Sequence, residues 1–132
     1  MKEFILYSLL FLLVSCNNDD SLFVSLKSND TQIKFQNKLT STTDLNILNY
    51  LYYYNGAGVA AADFNNDGLA DLYFTGNQTE DKLYLNLGGI TFKDITDKAL
   101  INNATPWTTG VTTIDINNDG FLDIYICKIG EH

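Results

Sequence analysis

The sequence contains no arginine, and its 8 lysines are outnumbered by 16 acidic residues, which gives a formal net charge of −8. Proteins that bind nucleic acid present clustered lysine and arginine side chains to the phosphates. We therefore expect no nucleic-acid partner. Histidine is also scarce, because His132 is the only one. No Ser-His-Asp set, phosphate-binding loop or Cys-His cluster is present, and we expect no enzyme activity.

The sequence also lacks an apolar run of the roughly 20 residues that a membrane-spanning helix needs. Residues 4–14 (FILYSLLFLLV) follow Lys2 and have the length of a signal-peptide core. The next residues, 13–16 (LVSC), resemble a bacterial lipobox, in which cleavage leaves Cys16 as a lipidated first residue. An ordinary signal peptide followed by a chance cysteine is the alternative. We expect a signal peptide at 1–15, a tether at 16–30, and an exported outer-membrane lipoprotein at the cell surface or on the periplasmic face.

Cysteine is rare as well, since Cys127 is the only one besides Cys16. A mature exported chain with one remaining thiol has no internal disulfide. Cys127 ends the apolar stretch 124–127 (IYIC), which predicts a buried strand. We therefore expect Cys127 to be a small core residue.

The main feature of the sequence is an internal repeat that aligns without gaps. Residues 58–75 (GVAAADFNNDGLADLYFT) align on residues 110–127 (GVTTIDINNDGFLDIYIC). Each unit reads as a strand, an acidic loop and a second, apolar strand. The apolar runs 72–74 and 124–126 do not alternate with polar residues, which predicts strands covered on both faces.

More strands follow the first repeat unit. Residues 82–86 (KLYLN) and 90–94 (ITFKD) flank a glycine turn typical of hairpins. Four strands in about 50 residues, repeated, are typical of a propeller blade. Residues 33–37 (IKFQN) echo the fourth strand and predict a lone outer strand before the first blade. No helix is predicted after the signal peptide.

The acidic loops, residues 63–71 (DFNNDGLAD) and 115–123 (DINNDGFLD), have the chemistry of a cation site. Positions one, three, five and nine carry carboxylate or amide oxygens, and a glycine at position six permits a sharp turn. Such hard donors favour Ca²⁺ over zinc, copper or Mg²⁺. An EF-hand needs a glutamate at position twelve, where Phe74 and Ile126 stand instead. Turns without metal are the alternative.

This loop pattern resembles the calcium loop of the FG-GAP/VCBS repeat, found in integrin alpha-chain propellers and bacterial surface proteins. The wider sequence resembles the bacterial ASPIC/UnbV group, which is related to cartilage acidic protein. The residues that carry this closer resemblance are 54–59, 63–73, 76–77, 82–86, 92–96 and 107–110.

The resemblance implies an all-β fold made of about two blades of an incomplete β-propeller, preceded by a signal-peptide helix. The partial propeller would cover residues 31–132, with repeats at about 56–98 and 108–132. Because a propeller needs at least four blades, we expect a truncated product or fragment. About two structural Ca²⁺ ions are implied. Their ligands would be Asp63, Asn65, Asp67, Leu69 and Asp71 in the first loop, and Asp115, Asn117, Asp119, Phe121 and Asp123 in the second.

The expected function is that of a calcium-binding, lipid-anchored surface segment that mediates protein or glycan binding or adhesion. Two alternatives stay open: an accessory or catalytic propeller of a polysaccharide-processing system with its active site on other blades, and a non-functional remnant. The tyrosines in residues 49–55 (NYLYYYN) could stack on sugars, although packing of strand tyrosines between sheets is favoured. Trp107 is likewise predicted to be a packing residue near a blade edge.

Overall fold

The computed structural model of the protein describes residues 21–101 and 107–129. The predicted signal peptide, Cys16, the first part of the tether and His132 lie outside the described residues. The rest of the predicted tether is exposed and ends in one helical turn, α1 (Ser28–Thr31). Within the described ranges, no helix has both the length and the apolar character needed to cross a bilayer.

The described residues form two antiparallel sheets, one from each repeat. The first sheet has four strands in chain order, and the second has two strands. The all-β fold class, with blades of an incomplete propeller, is confirmed, and the part of the chain that the structure describes contains almost no helix. The strands are β1 (Val59–Ala62), β2 (Asp71–Phe74), β3 (Lys82–Asn86) and β4 (Phe92–Asp94) in the first sheet, and β5 (Thr108–Ile114) and β6 (Asp123–Lys128) in the second.

The core lies between the two sheets. Ala60, Tyr73 and Leu83 face each other across β1, β2 and β3, and they form the buried cluster. The half-buried apolar side chains that pack against this cluster are Phe64, Ile95, Ile101, Val111, Ile124 and Ile126. The two repeats therefore stack face to face, as neighbouring blades do.

Gly58 permits the close approach of the two sheets. A Cβ atom at this position would lie 3.0 Å from both the backbone nitrogen and the Cγ1 atom of Val111. That distance is too short for ordinary packing, so a side chain at Gly58 would push β5 away from β1.

The predicted outer strand at residues 33–37 is wrong. The segment has no ladder partner among the described residues, and it contacts the first sheet mainly through side chains. The Phe35 ring stacks on Phe74 with a centroid distance of 5.1 Å, and the Lys34 N–H donates to the Tyr84 hydroxyl at 3.3 Å. A strand needs a neighbouring backbone, and residues 21–101 and 107–129 supply none to this segment.

The predicted burial of Cys127 is also wrong, because its side chain is exposed. Residues along β6 alternate between half-buried and exposed, so one face of the second sheet packs on the first sheet, and no described residue covers the other. Tyr125, on the open face, is 57% exposed. The expectation that the apolar run 124–126 is covered on both faces therefore fails for the second sheet.

The tyrosine-rich segment lies in turns instead of strands. Residues 47–54 form consecutive turns stabilised by local bonds, such as the Tyr50 N–H donating to the Asn46 carbonyl at 2.8 Å. These turns precede β1 and place the rings of Tyr50 and Tyr53 against Trp107, just before β5.

Candidate functional site

The first acidic loop connects β1 to β2 and curls around its own side chains. Asp63 accepts hydrogen bonds from the backbone N–H groups of Asp67 (3.0 Å) and Gly68 (2.7 Å). The Asn65 Oδ1 atom also accepts from the Asp67 N–H, and the Asn65 amide donates to the Asp67 carboxylate at 2.9 Å. Asp67 accepts in turn from the Leu69 N–H at 2.8 Å. The oxygens of positions one, three and five thus converge on one turn.

The second loop, between β5 and β6, repeats these contacts atom for atom. Asp115 accepts from the N–H groups of Asp119 (3.1 Å) and Gly120 (2.9 Å), and Asn117 bonds to Asp119 through both its oxygen and its amide. Asp119 accepts from the Phe121 N–H at 2.9 Å. Two independent segments with the same five contacts show that the sequence pattern itself determines this geometry.

Positive backbone angles produce the curl. Gly68 and Gly120, at position six, have φ values of 86° and 88°. Asn66 and Asn118, at position four, both have a φ of 58°, and asparagine tolerates this left-handed region better than most residues do. The predicted sharp turn at position six is therefore present in both loops.

Position nine lies at the base of each loop, at the first residue of the following strand. Asp71 is fully buried, and its two oxygens accept from the N–H groups of Phe64 (3.1 Å) and Asn86 (2.8 Å). Asp123 makes the first of these contacts, with the Ile116 N–H at 3.0 Å. Asp71 therefore ties its loop to β3 as well as closing the loop.

The two loops touch each other. The Asn66 side-chain amide donates a hydrogen bond of 3.1 Å to the Gly120 carbonyl, which links position four of one loop to position six of the other. Neighbouring blades thus carry their acidic loops side by side on the surface. Nothing in the sequence signals this contact, because it depends on how the sheets stack.

The hydrogen bonds within the second loop favour the ionised form of Asp119. The Phe121 N–H, followed by the Asn117 amide, lowers the pKa of Asp119 below its ordinary value. Within the described ranges, no three His, Cys, Asp or Glu side chains meet closely enough to form a metal cluster by themselves. A cation here would rely on the asparagine and backbone oxygens in addition to the carboxylates.

A second polar cluster, which the sequence reasoning missed, joins the two sheets. Asp81 is 1% exposed and accepts from the Gly76 N–H at 2.8 Å, the Tyr73 hydroxyl at 3.0 Å and the Thr108 hydroxyl at 3.1 Å. The buried Asn77 side chain donates to the Thr108 carbonyl at 3.2 Å. Gly76 and Asn77 belong to the residues that carry the family resemblance, but a lone aspartate before a strand gives no local signal of burial.

The tyrosines of residues 49–55 fall into two groups, one that packs against Trp107 and one that is exposed. Tyr53 is fully buried, and its ring lies 5.6 Å from Trp107, which Tyr50 also contacts at 5.5 Å. Trp107 therefore packs beside the start of β5. Tyr52 and Tyr54 are mostly exposed, so inter-sheet packing does not account for them.

Comparison with protein-family models finds an FG-GAP-like repeat at residues 63–126. The matched region begins at the first residue of the first acidic loop and ends within β6, so it includes both loops and the strands β2 to β5. Comparisons with curated proteins and with solved structures find no significant match.

Proposed function

We propose that this chain is the calcium-binding, lipid-anchored segment of an exported surface protein that binds protein or glycan ligands. The FG-GAP-like repeat supports a propeller-type domain of the kind often involved in binding or adhesion. The single observation that supports calcium is the acidic loop itself, which occurs twice with the same converging oxygens.

The donor set fits a hard cation by its chemistry. Carboxylate, amide and backbone oxygens are the ligands that Ca²⁺ takes in flexible sites. In this structure the same oxygens accept backbone N–H groups, and the Asn65 amide faces the Asp67 carboxylate. A cation would be held by Asp63, Asn65, Asp67, Asp71 and the Leu69 carbonyl once Asn65 turns its oxygen inward. The second loop would use Asp115, Asn117, Asp119, Asp123 and the Phe121 carbonyl.

Calcium would act structurally at these positions. Extracellular modules bind it with dissociation constants of about 10⁻⁴ to 10⁻³ M. At a free concentration of ten times that constant, each site adds about 1.4 kcal/mol to the free energy of unfolding. Since both loops connect the first two strands of a blade, the ions would stabilise the hairpins that stack in the core.

The surface beside Trp107 is a candidate region for ligand contact. Leu48, Leu51, Tyr52 and Tyr54 expose most of their side chains on the turns of residues 47–54. Exposed apolar groups that lie together often mark binding surfaces, and tyrosine offers both a flat ring and a hydroxyl to a protein or sugar.

Calorimetric titration with Ca²⁺ and Mg²⁺ tests the metal sites. We expect the full chain in mild detergent to bind two calcium ions with weak magnesium competition. Asp67→Ala and Asp119→Ala should each remove one ion, and the double variant should remove both. Asp44→Ala, which removes an exposed carboxylate outside the loops, is the matched control and should retain both ions. Absence of calcium binding by the unaltered chain would refute the metal assignment.

A further inference from the structure

Three places in the chain have an asparagine or aspartate directly before a glycine. At such a pair, the glycine nitrogen can attack the carbonyl carbon of the preceding side chain and close a succinimide ring, because glycine has no side chain to hinder the approach. In all three pairs the glycine has a positive φ, of 81°, 86° and 88° in chain order. The pairs are Asn55–Gly56, Asp67–Gly68 and Asp119–Gly120. Their hydrogen bonds separate one of them from the other two.

The two pairs in the acidic loops are held in place. The Gly68 N–H donates to the Asp63 carboxylate at 2.7 Å, and the Gly120 N–H donates to the Asp115 carboxylate at 2.9 Å. The negative charge of each acceptor opposes loss of the N–H proton, which the attack requires. The side chain that would be attacked is fixed as well, because the Asp67 carboxylate accepts two hydrogen bonds inside its loop and its counterpart in the second loop does the same.

The remaining pair lies outside the loops and has none of these restraints. Asn55 is exposed, in the bend between the turns of residues 47–54 and β1. Among the described residues, none bonds to the Asn55 side chain and none accepts from the Gly56 N–H. The Asn77 amide donates to the Gly56 carbonyl at 3.0 Å, which fixes the peptide after Gly56 but not the one before it. A Cβ atom at Gly56 would have no neighbour within 4 Å, so the ring has room to form.

We propose that Asn55 is a site of spontaneous deamidation, with the backbone nitrogen of Gly56 as the nucleophile. The Gly56 nitrogen forms a bond to the Asn55 Cγ atom, the Cγ–Nδ2 bond breaks, and the side-chain nitrogen leaves as ammonia with the proton from Gly56. Water then opens the succinimide. Cleavage at the new bond gives aspartate at position 55, and cleavage at the original backbone bond gives isoaspartate. Water is the only co-reactant, and nothing is oxidised or reduced.

Deamidation changes both the charge and the backbone at this point. Each product adds a negative charge, and isoaspartate also adds one carbon atom to the main chain directly before β1. The neighbouring side chain of Tyr54 is 64% exposed and belongs to the candidate region for ligand contact. A change of ligand affinity as the chain ages rests on the proposed function, whereas the reaction at Asn55 does not.

Ageing of the full chain in mild detergent at mildly alkaline pH, with a calcium chelator, tests the site. Peptide mass spectrometry follows the conversion of each asparagine, and an isoaspartyl methyltransferase with a labelled methyl donor counts isoaspartate. We expect Asn55 to convert about tenfold faster, or more, than any other described asparagine, because ring closure requires a nucleophile that is free to reach the side chain.

Two glutamine variants check the assignment. Asn55→Gln should remove most of the methyl label, since glutamine would have to close a larger ring. Asn46→Gln is the matched control, because Asn46 precedes isoleucine and its amide donates to the Thr42 carbonyl at 2.8 Å, and it should leave the label unchanged. Equal loss of label in both variants, or in neither, would overturn the assignment to Asn55.

A parallel incubation in urea shows whether the fold makes the selection. Unfolding frees Gly68 and Gly120, so isoaspartate should then also form at Asp67 and Asp119. Label at those two positions in the folded chain, at a rate equal to that at Asn55, would overturn the structural distinction. An Asn55 that stays intact in the folded chain would overturn the proposal, and its conversion in urea alone would show that the fold protects it. None of these results bears on the proposed calcium sites or ligands, which stand or fall by their own experiments.

Discussion

The Thr108 hydroxyl, at the start of β5, donates a 3.1 Å hydrogen bond to the Asp81 carboxylate, which lies just before β3. Both residues are almost completely buried. The same carboxylate oxygen accepts from the Tyr73 hydroxyl in β2, so one buried acid joins the two sheets. A buried carboxylate is stable only when such donors replace water, which makes this contact a polar link within the apolar interface.

The first prediction concerns this link. Thr108→Val keeps the shape of the side chain and removes the donor to Asp81, and we expect the free energy of unfolding to fall by about 1–3 kcal/mol. Thr109→Val is the matched control in the same strand, because its hydroxyl donates at 3.1 Å to the Cys127 carbonyl at an exposed position. Urea unfolding measures both variants. If both variants lose the same free energy of unfolding, the buried hydrogen bond to Asp81 contributes no more to stability than the exposed one does.

The second prediction concerns alkaline pH. Burial, then the charge of Asp81, then the hydrogen bond to Asp81 raise the pKa of Tyr73 above its ordinary value near 10. The folded state therefore retains the Tyr73 proton more tightly than the unfolded state does. This contribution is fully present below pH 10 and is lost as the pH rises above 10. We expect the unaltered protein to lose stability in that range.

Tyr73→Phe tests the assignment because it removes the titrating group. The variant should be less stable than the unaltered protein at pH 7, by about 1.5–3 kcal/mol for a hydrogen bond to a charged group, and its stability should fall less between pH 10 and 11. Tyr125→Phe, at the equivalent but exposed position of the second repeat, should keep the unaltered pH dependence. Thermal unfolding at a series of pH values provides the measurement. If stability falls equally steeply with pH in Tyr73→Phe and Tyr125→Phe, titration of Tyr73 is not the cause of the loss at alkaline pH.

The sequence predicts the local parts of this structure well. Residues 58–75 and 110–127 contain the strand, turn and strand signals within one short stretch, so both hairpins and both acidic loops follow from them. Glycine at position six of each loop identifies the bend, because few other residues adopt its backbone angle.

Features that depend on distant neighbours could not be predicted in this way. Residues 33–37 have a strand-like composition, yet a strand requires a partner that the described residues do not supply. Cys127 lies in an apolar run, but its exposure depends on what covers the second sheet. Asp81 has no pattern around it, and only the stacking of the sheets brings Thr108 to its carboxylate.

A third prediction addresses the predicted lipid anchor. If Cys16 is the lipidated residue, metabolic labelling with a radioactive or clickable fatty acid should mark the chain expressed in a bacterium that processes lipoproteins. Cys16→Ser should abolish the label and leave the chain unprocessed or free of the membrane fraction. Cys127→Ser is the control, because it removes the only other thiol and should leave labelling intact. Persistent labelling of Cys16→Ser would exclude this anchor.

The fourth prediction concerns the contact between the acidic loops. Asn66→Gly removes the donor to the Gly120 carbonyl while keeping a residue that tolerates the φ of 58°. Without this bond the second loop should open more readily, and we expect amide hydrogen exchange near Gly120 to speed up about two- to tenfold, in line with one exposed hydrogen bond. Exchange measured without calcium reports this coupling independently of metal binding.

Asn118→Gly is the matched control for that experiment, because Asn118 has the same φ and the same position in the second loop. Both substitutions relieve the same backbone strain and remove the same side chain, and they differ in the bond that Asn66 makes to the neighbouring loop. Suppose that exchange near Gly120 is faster in Asn66→Gly, whereas exchange in the first loop is not faster in Asn118→Gly. This result would establish that the Asn66 side chain stabilises the second loop and that the Asn118 side chain has no equivalent effect on the first. Similar exchange profiles in the two variants would mean that each loop keeps its shape through its own aspartate contacts, and that stacking of the blades does not couple them.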